Sequence, residues 1–79
     1  MKLEIITPEQ VYFTGEISSV TLPGTTGSFT VWENHAPMIS TLGIGAIIYK
    51  EASGEKEIEV AGGVVEVNKN VVTVCLELV

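Results

Sequence analysis

Hydrophobic residues recur at every second position through most of this chain, and no window of about 11 residues or more carries them at helical spacing. A period of two puts successive side chains on opposite faces of an extended strand, so the apolar half can be buried only by pairing strands and stacking the sheets. Residues 55–61 are the clearest instance. Glu55, Glu57, Glu59 and Ala61 share one face and Lys56, Ile58 and Val60 the other, which reads as a strand with Ile58 and Val60 toward the core. The glutamates form a solvated stripe that discourages edge pairing. Residues 71–78 alternate too, with Val72, Val74, Leu76 and Leu78 set against Val71, Thr73, Cys75 and Glu77. Since Val71, Cys75 and the nearby Val64 are themselves apolar, the outer face is expected to keep an exposed apolar patch of the kind that marks a partner surface.

Turn signals cut the alternation into short pieces. Residues 3–6 lead into Thr7-Pro8, residues 11–13 run to a break at Gly15, and residues 17–22 end at Pro23-Gly24. Pro23-Gly24-Thr25-Thr26-Gly27 reads as a surface loop, 28–32 as a strand, and Glu33-Asn34-His35-Ala36-Pro37 as a second loop. Ser53-Gly54 and Asn68-Lys69-Asn70 read as hairpin tips, Gly43 and Gly45 bracket Ile44, and Gly62-Gly63 is expected to separate two strands. About eight to ten short strands fit, which makes the fold class all-β, a two-sheet antiparallel sandwich or flattened barrel. At 79 residues this is expected to be one domain, 1–79. A domain of that size buries only roughly 60% of its unfolded surface, so either marginal stability or a partner that covers part of the rest is expected.

Charge narrows the function. The chain has 10 acidic and 4 basic residues, net −6, and every acid is Glu and every base Lys. Without arginine there is no bidentate fork for phosphate or guanine, and an acidic surface repels a polyphosphate, so nucleic acid is not an expected partner. The lone Cys75 cannot form an internal disulfide, and no Cys/His set is present for zinc, so no metal or cofactor site is expected and a reducing compartment fits best. The N-terminal residues alternate without a long apolar run, which argues against a signal peptide, a membrane span or direct insertion into lipid.

The remaining candidates are few. His35 is the only histidine; Ser18, Ser19 and Ser40 lack a nucleophile elbow, so no catalytic set is expected and His35 is read as a loop anchor bonding nearby backbone. The glycine pairs are not followed by Lys-Ser/Thr or by a helix, so they form no phosphate cradle and read as turn or bulge glycines. Lys69 at a hairpin tip of an acidic β domain is how a lipoyl or biotinyl carrier would present its modified amine. Against this, only one strand follows Lys69, and its neighbours Asn68 and Asn70 differ from a carrier's.

Several short motifs occur in order along nearly the whole chain. They are Ile6-Thr7-Pro8-Glu9, Phe13-x-Gly15-Glu16, Val20-x-Leu22-Pro23-Gly24, Gly27-x-Phe29, Asn34-His35-Ala36-Pro37, Leu42-x-x-Gly45, and Gly62-Gly63-Val64-Val65-Glu66-Val67 with Val71-x-Thr73-Val74. This ordered set resembles the ε-subunit family of F-type ATP synthases. The resemblance implies a ten-strand, two-sheet sandwich riding on the rotor stalk, bound to the γ subunit and seated on the polar loops of the membrane c-ring. Such a subunit is non-catalytic, carries no cofactor, and sits peripherally on the cytoplasmic side of the bacterial inner membrane. Carried over by position, the c-ring-facing loop is Pro23, Gly24, Thr25, Thr26, Gly27, Ser28, Phe29 and Thr30, and the γ-facing surface includes Thr7, His35 and Ser40. Many relatives place an acid where this chain has Ser28, which favours a contact made by shape and backbone over one made by charge. Most relatives also continue into an α-helical hairpin, the part that binds ATP and inhibits hydrolysis. This sequence stops at Val79, so a short form is expected, with no ATP binding.

Overall fold

The computed structural model describes residues 1–78, with side chains through Glu77. The Leu78 side chain, expected beside Leu76, lies outside the described residues. Eight strands are present: β1 (Lys2–Ile6), β2 (Val11–Glu16), β3 (Ser19–Gly24), β4 (Gly27–Trp32), β5 (Met38–Leu42), β6 (Gly45–Glu51), β7 (Gly54–Asn68) and β8 (Val71–Leu78). Among the described residues there is no helix, as the period of two predicts.

The pairing order is β2-β1-β8-β7-β5-β3-β4, with β6 bridging β3 and β7. β7 holds the two layers together. Its first half, from Gly54 to Val60, pairs with β6, and its second half, from Gly63 to Asn68, lies between β5 and β8. The glycine pair therefore bends one 15-residue strand and does not separate two, which corrects the expectation of a strand break and agrees with the reading of bulge glycines. The mechanism is a β-bulge between Val60 and Gly62. One extra residue resets the phase: burial falls on even positions at Ile58 and Val60 and on odd positions at Val65 and Val67. Here the strands come close enough that only glycine fits. Gly63 has φ +150°, and a Cβ on it would collide with the Cys75 carbonyl oxygen.

Three further expectations change. Gly15 does not break its strand; it pairs with Leu3, and β2 continues to Glu16. The loop proposed for residues 23–27 is only the two-residue turn Thr25-Thr26, because Pro23↔Ser28 and Gly24↔Gly27 are already in register. The sheet is antiparallel except for β1 and β8, which run parallel from Lys2↔Val71 to Ile6↔Cys75. Alternation cannot reveal that exception, since a strand buries the same face whichever way its neighbour runs.

A single apolar cluster fills the space between the layers. Leu3, Ile5, Val65, Val72 and Val74 come from one side and Val20, Leu22, Val31, Ile47 and Val60 from the other, all fully buried. Each such side chain contributes about 1.5–3 kcal/mol of transfer free energy. Phe13 and Tyr49 seal one margin, ring centroids 4.6 Å apart and tilted by 39°.

The chain start is pinned as well. The Met1 ammonium donates to Glu33 Oε1 at 3.0 Å and lies 3.7 Å from Glu16 Oε1. The hydrogen bond to Glu33 raises the pKa of this amine; burial opposes the rise and the charges of Glu16 and Glu33 add to it. Burial, with Glu51 and Tyr12, also raises the Tyr49 phenol. Both groups are held in the protonated form by the fold. Their contribution is complete below the unfolded pKa values and lost as pH climbs through the folded ones. The melting temperature is therefore expected to fall on the alkaline side, from about pH 8 for the amine and about pH 10 for the phenol. Glu33→Gln should reduce the earlier part of that fall, with Glu16 sustaining the remainder; an unchanged pH profile in that variant would refute the assignment.

Candidate functional site

Two adjoining surfaces stand out. The first is the β3–β4 hairpin tip. Thr25 N–H donates to the Thr41 carbonyl at 3.1 Å, and the Thr25 and Thr41 hydroxyls are bonded at 2.8 Å. Gly43 N–H donates to the Pro23 carbonyl at 2.8 Å, so the β5–β6 turn is fastened to the same hairpin. Inside the hairpin, Thr21 and Thr30 share a hydroxyl bond of 2.8 Å, and Phe29 packs half-buried against the core. Gly24 is required there: a Cβ would stand 2.6 Å from the Gly27 carbonyl oxygen and 2.9 Å from the Phe29 ring. Neither 23–30 nor 41–46 contains a charged residue. Ile44 stands out from this end, 83% exposed.

The second surface is the outer face of β5, β7, β8, β1 and β2. Cross-strand partners share a face. Register therefore aligns Thr41, Val64, Cys75, Ile6 and Val11 in one row, and Ile39, Glu66, Thr73, Glu4 and Thr14 in the next. Val64, Val71 and Cys75 lie exposed, as the alternation predicts. A groove of about 710 Å³ runs along the apolar row, between the Thr7–Gln10 turn on one side and Gly63, Val64, Cys75, Leu76 and Glu77 on the other. Thr41 belongs to both surfaces, opposite Val64 in the sheet and bonded to Thr25 at the tip.

The residues expected at the γ-facing surface do not converge. Thr7 borders the groove, where its hydroxyl and N–H close the turn on Gln10. Ser40 pairs with fully buried Val65, so its side chain takes the core side, half-buried, and the exposed neighbours are Ile39 and Thr41. His35 lies at the other end of the sheet, beside the Asn68–Asn70 turn. Its Nδ1 meets the Ala36 carbonyl at 2.7 Å, which is the loop-anchor role read from the sequence. A pair that sequence reading missed assists it. Asn34 N–H donates to Asn70 Oδ1 at 2.6 Å, and Asn70 Nδ2 donates to Asn34 Oδ1 at 3.0 Å, tying loop 33–37 to the β7–β8 turn. Asn34, Lys69 and Asn70 all have positive φ, which asparagine tolerates best. Ile39 and Ile44 were also missed, since no local signal shows that an isoleucine faces outward. Among the described residues no group of three His, Cys or Glu side chains could hold a metal ion.

Comparison with known proteins accounts for this architecture. The family model for the ATP synthase delta/epsilon chain, β-sandwich domain, matches residues 1–78. The chain belongs to that family. An ATP synthase epsilon chain of Leptospira borgpetersenii is 38% identical over 74 residues, 94% of this chain and 58% of the relative. One from Maridesulfovibrio salexigens is 40% identical over 76 residues, 96% of this chain and 54% of the relative. The chain thus spans little more than half the length of these epsilon chains. In solved structures the fold recurs in the mitochondrial ATP synthase central stalk and c-ring of Tetrahymena thermophila, with TM-score 0.82, 16% identity, and 96% of this chain and 62% of that one covered. It recurs in the Euglena gracilis mitochondrial ATP synthase with TM-score 0.86, 19% identity, and 94% and 48% covered. Membership in this family decides against the carrier reading of Lys69, although that lysine does stand exposed at a hairpin tip.

Proposed function

We propose that this chain is a non-catalytic rotor subunit of an F-type ATP synthase that ties the γ subunit to the c-ring, so that ion flow and catalysis turn together. The observation that carries the reading is the end-to-end family match, with relatives named ATP synthase epsilon chain. The contiguity of the two surfaces at Thr41 supports it, because a linking subunit needs two docking faces on one rigid body. In this reading the tip formed by Pro23–Thr30 faces the ring, and γ covers the outer face bordered by Thr7, with Ser40 half-buried just beneath it and His35 at its far end. The subunit is peripheral, held on the cytoplasmic side of the bacterial inner membrane by its partners and not by lipid. The sandwich binds no ATP: it has no arginine, its described residues offer no helix N-terminus to receive a triphosphate, and its net charge of −6 opposes one.

Reconstitution tests the whole reading. An ATP synthase assembled without this chain is expected to hydrolyse ATP while building little ion gradient, and adding the chain back should restore the gradient. Equal coupling with and without it would end the proposal, and so would micromolar ATP binding by the free chain. For the γ surface, Ser40→Arg is expected to weaken γ capture by about tenfold or more, since it forces a long cation into a half-buried position beside the interface. Lys69→Ala should leave capture unchanged. A pull-down in which both variants behave alike would show that γ sits elsewhere.

A further inference from the structure

We infer that the α-amine of Met1 is a modification-sensitive site: the fold holds it as a free ammonium, and a formyl or acetyl group on it releases loop 33–37 from the start of β1. Three contacts fix where this nitrogen stands. The Met1 side chain is buried in the core cluster, and the Met1 carbonyl accepts from Ile17 N–H at 2.8 Å, between β2 and β3. With both of these held, the nitrogen meets a cleft of about 290 Å³ lined by Glu16, Ile17, Ser18, Glu33, Glu51 and Ala52. There the ammonium donates to Glu33 Oε1 at 3.0 Å and lies 3.7 Å from Glu16 Oε1.

Carboxylates from three places in the fold converge on this cleft, since Glu16 closes β2, Glu51 closes β6 and Glu33 follows β4. No lysine lines it, so Met1 brings the only positive charge among the lining residues. Acylation turns that ammonium into an amide. The charge is lost, two of the three N–H donors are lost, and a carbonyl oxygen is added as a further acceptor among carboxylates. What disappears is a charge-assisted hydrogen bond that spans 32 residues, from the start of β1 to the loop that carries His35.

The same corner has two other ties. Lys2 N–H donates to the Asn70 carbonyl at 2.9 Å, and Asn70 in turn holds Asn34 through its side chain. Loss of the Met1 clasp therefore leaves loop 33–37 fastened by the asparagine pair and by the His35 N–H bond to the Trp32 carbonyl, at 3.2 Å. A looser loop is the consequence, not an unfolded chain. A chain initiated with formylmethionine needs amide hydrolysis before the clasp can close: water adds to the formyl carbon, the C–N bond breaks, formate leaves, and both water protons end on the nitrogen as the ammonium forms.

The test is the full chain made by chemical synthesis with the α-nitrogen free, formylated or acetylated, each with and without Glu33→Gln, at pH 7. Lys69→Gln serves as a control that removes one positive charge at an exposed hairpin tip. The two acylated chains are expected to melt lower than the free chain by about 4 °C or more. Their Asn34 and His35 amides should exchange about fivefold faster or more, while Thr25 and Gly43, at the other end of the sandwich, change less. Glu33→Gln should shrink the shift that acylation causes, because the bond at stake is already gone. Unchanged melting and exchange in the formyl chain would overturn the inference. So would an equal acylation shift with and without Glu33, since the acyl group would then act by its bulk, and so would a drop of the same size from Lys69→Gln, which would assign the effect to net charge. A formyl chain that fails to fold while free Glu33→Gln folds would overturn it as well, because loss of the clasp would not then explain the damage.

Discussion

Gly63→Val is expected to remove much of the stability of this fold. At φ +150° an L side chain is strained whatever the space around it, and here a Cβ would also meet the Cys75 carbonyl oxygen and stand 2.9 Å from Leu76 Cα. Both obstacles are backbone atoms of the adjacent strand, so no side-chain rotation relieves them. Strain of about 1–3 kcal/mol for the dihedral adds to a similar cost for overpacking, about 4 kcal/mol together. A chain of this length has roughly 4–12 kcal/mol in total. Gly27→Val separates the two causes, because Gly27 has φ +141° with nothing within 4 Å of its missing Cβ and should show the dihedral cost alone. Urea denaturation of both variants gives the difference. If the two lose equal stability, the close approach of β7 to β8 is not what requires a glycine.

Leu22→Ala is expected to cost about 3 kcal/mol, from lost transfer free energy and the cavity left behind. Leu22 is fully buried on β3, opposite Phe29 on β4, and both strands lead into the tip. The loss should therefore loosen the Thr25–Thr41 contact as well as the core. Faster amide exchange at Thr25 and Gly43 than in the β7–β8 pair would show it. Ile44→Ala supplies the contrast, an aliphatic truncation of similar size at an exposed site that should leave the melt where it was. A Leu22→Ala protein as stable as wild type would mean that the hairpin is held by its backbone bonds and not by the core.

The class of fold was legible because alternation is a local property. Ile58 and Val60, Val72 and Val74, and the glutamate stripe all fall on the faces their spacing assigned. Motif order was legible for the same reason, and it pointed to the family that the chain-long match then established. His35 as a loop anchor was also readable, since the bond to Ala36 spans one residue.

What failed to show in the sequence depended on residues far apart in the chain. The double glycine reads equally as a strand end or as a bulge, and only the presence of β5, β6 and β8 around it keeps β7 continuous. The parallel β1–β8 pair, the Asn34–Asn70 clasp across 36 residues and the Thr25–Thr41 lock across 16 carry no local signal at all. Side-chain direction at the candidate site belongs to this second group. Ser40 turned to the core side, and Ile39 and Ile44 turned outward, because cross-strand register, not residue type, sets which face a position takes. By itself the sequence determined an all-strand, acidic, uncharged-tipped sandwich of a known family. The tertiary structure decided which of its surfaces adjoin and which side chains they present, since strand pairing between distant segments is settled only when the whole core closes.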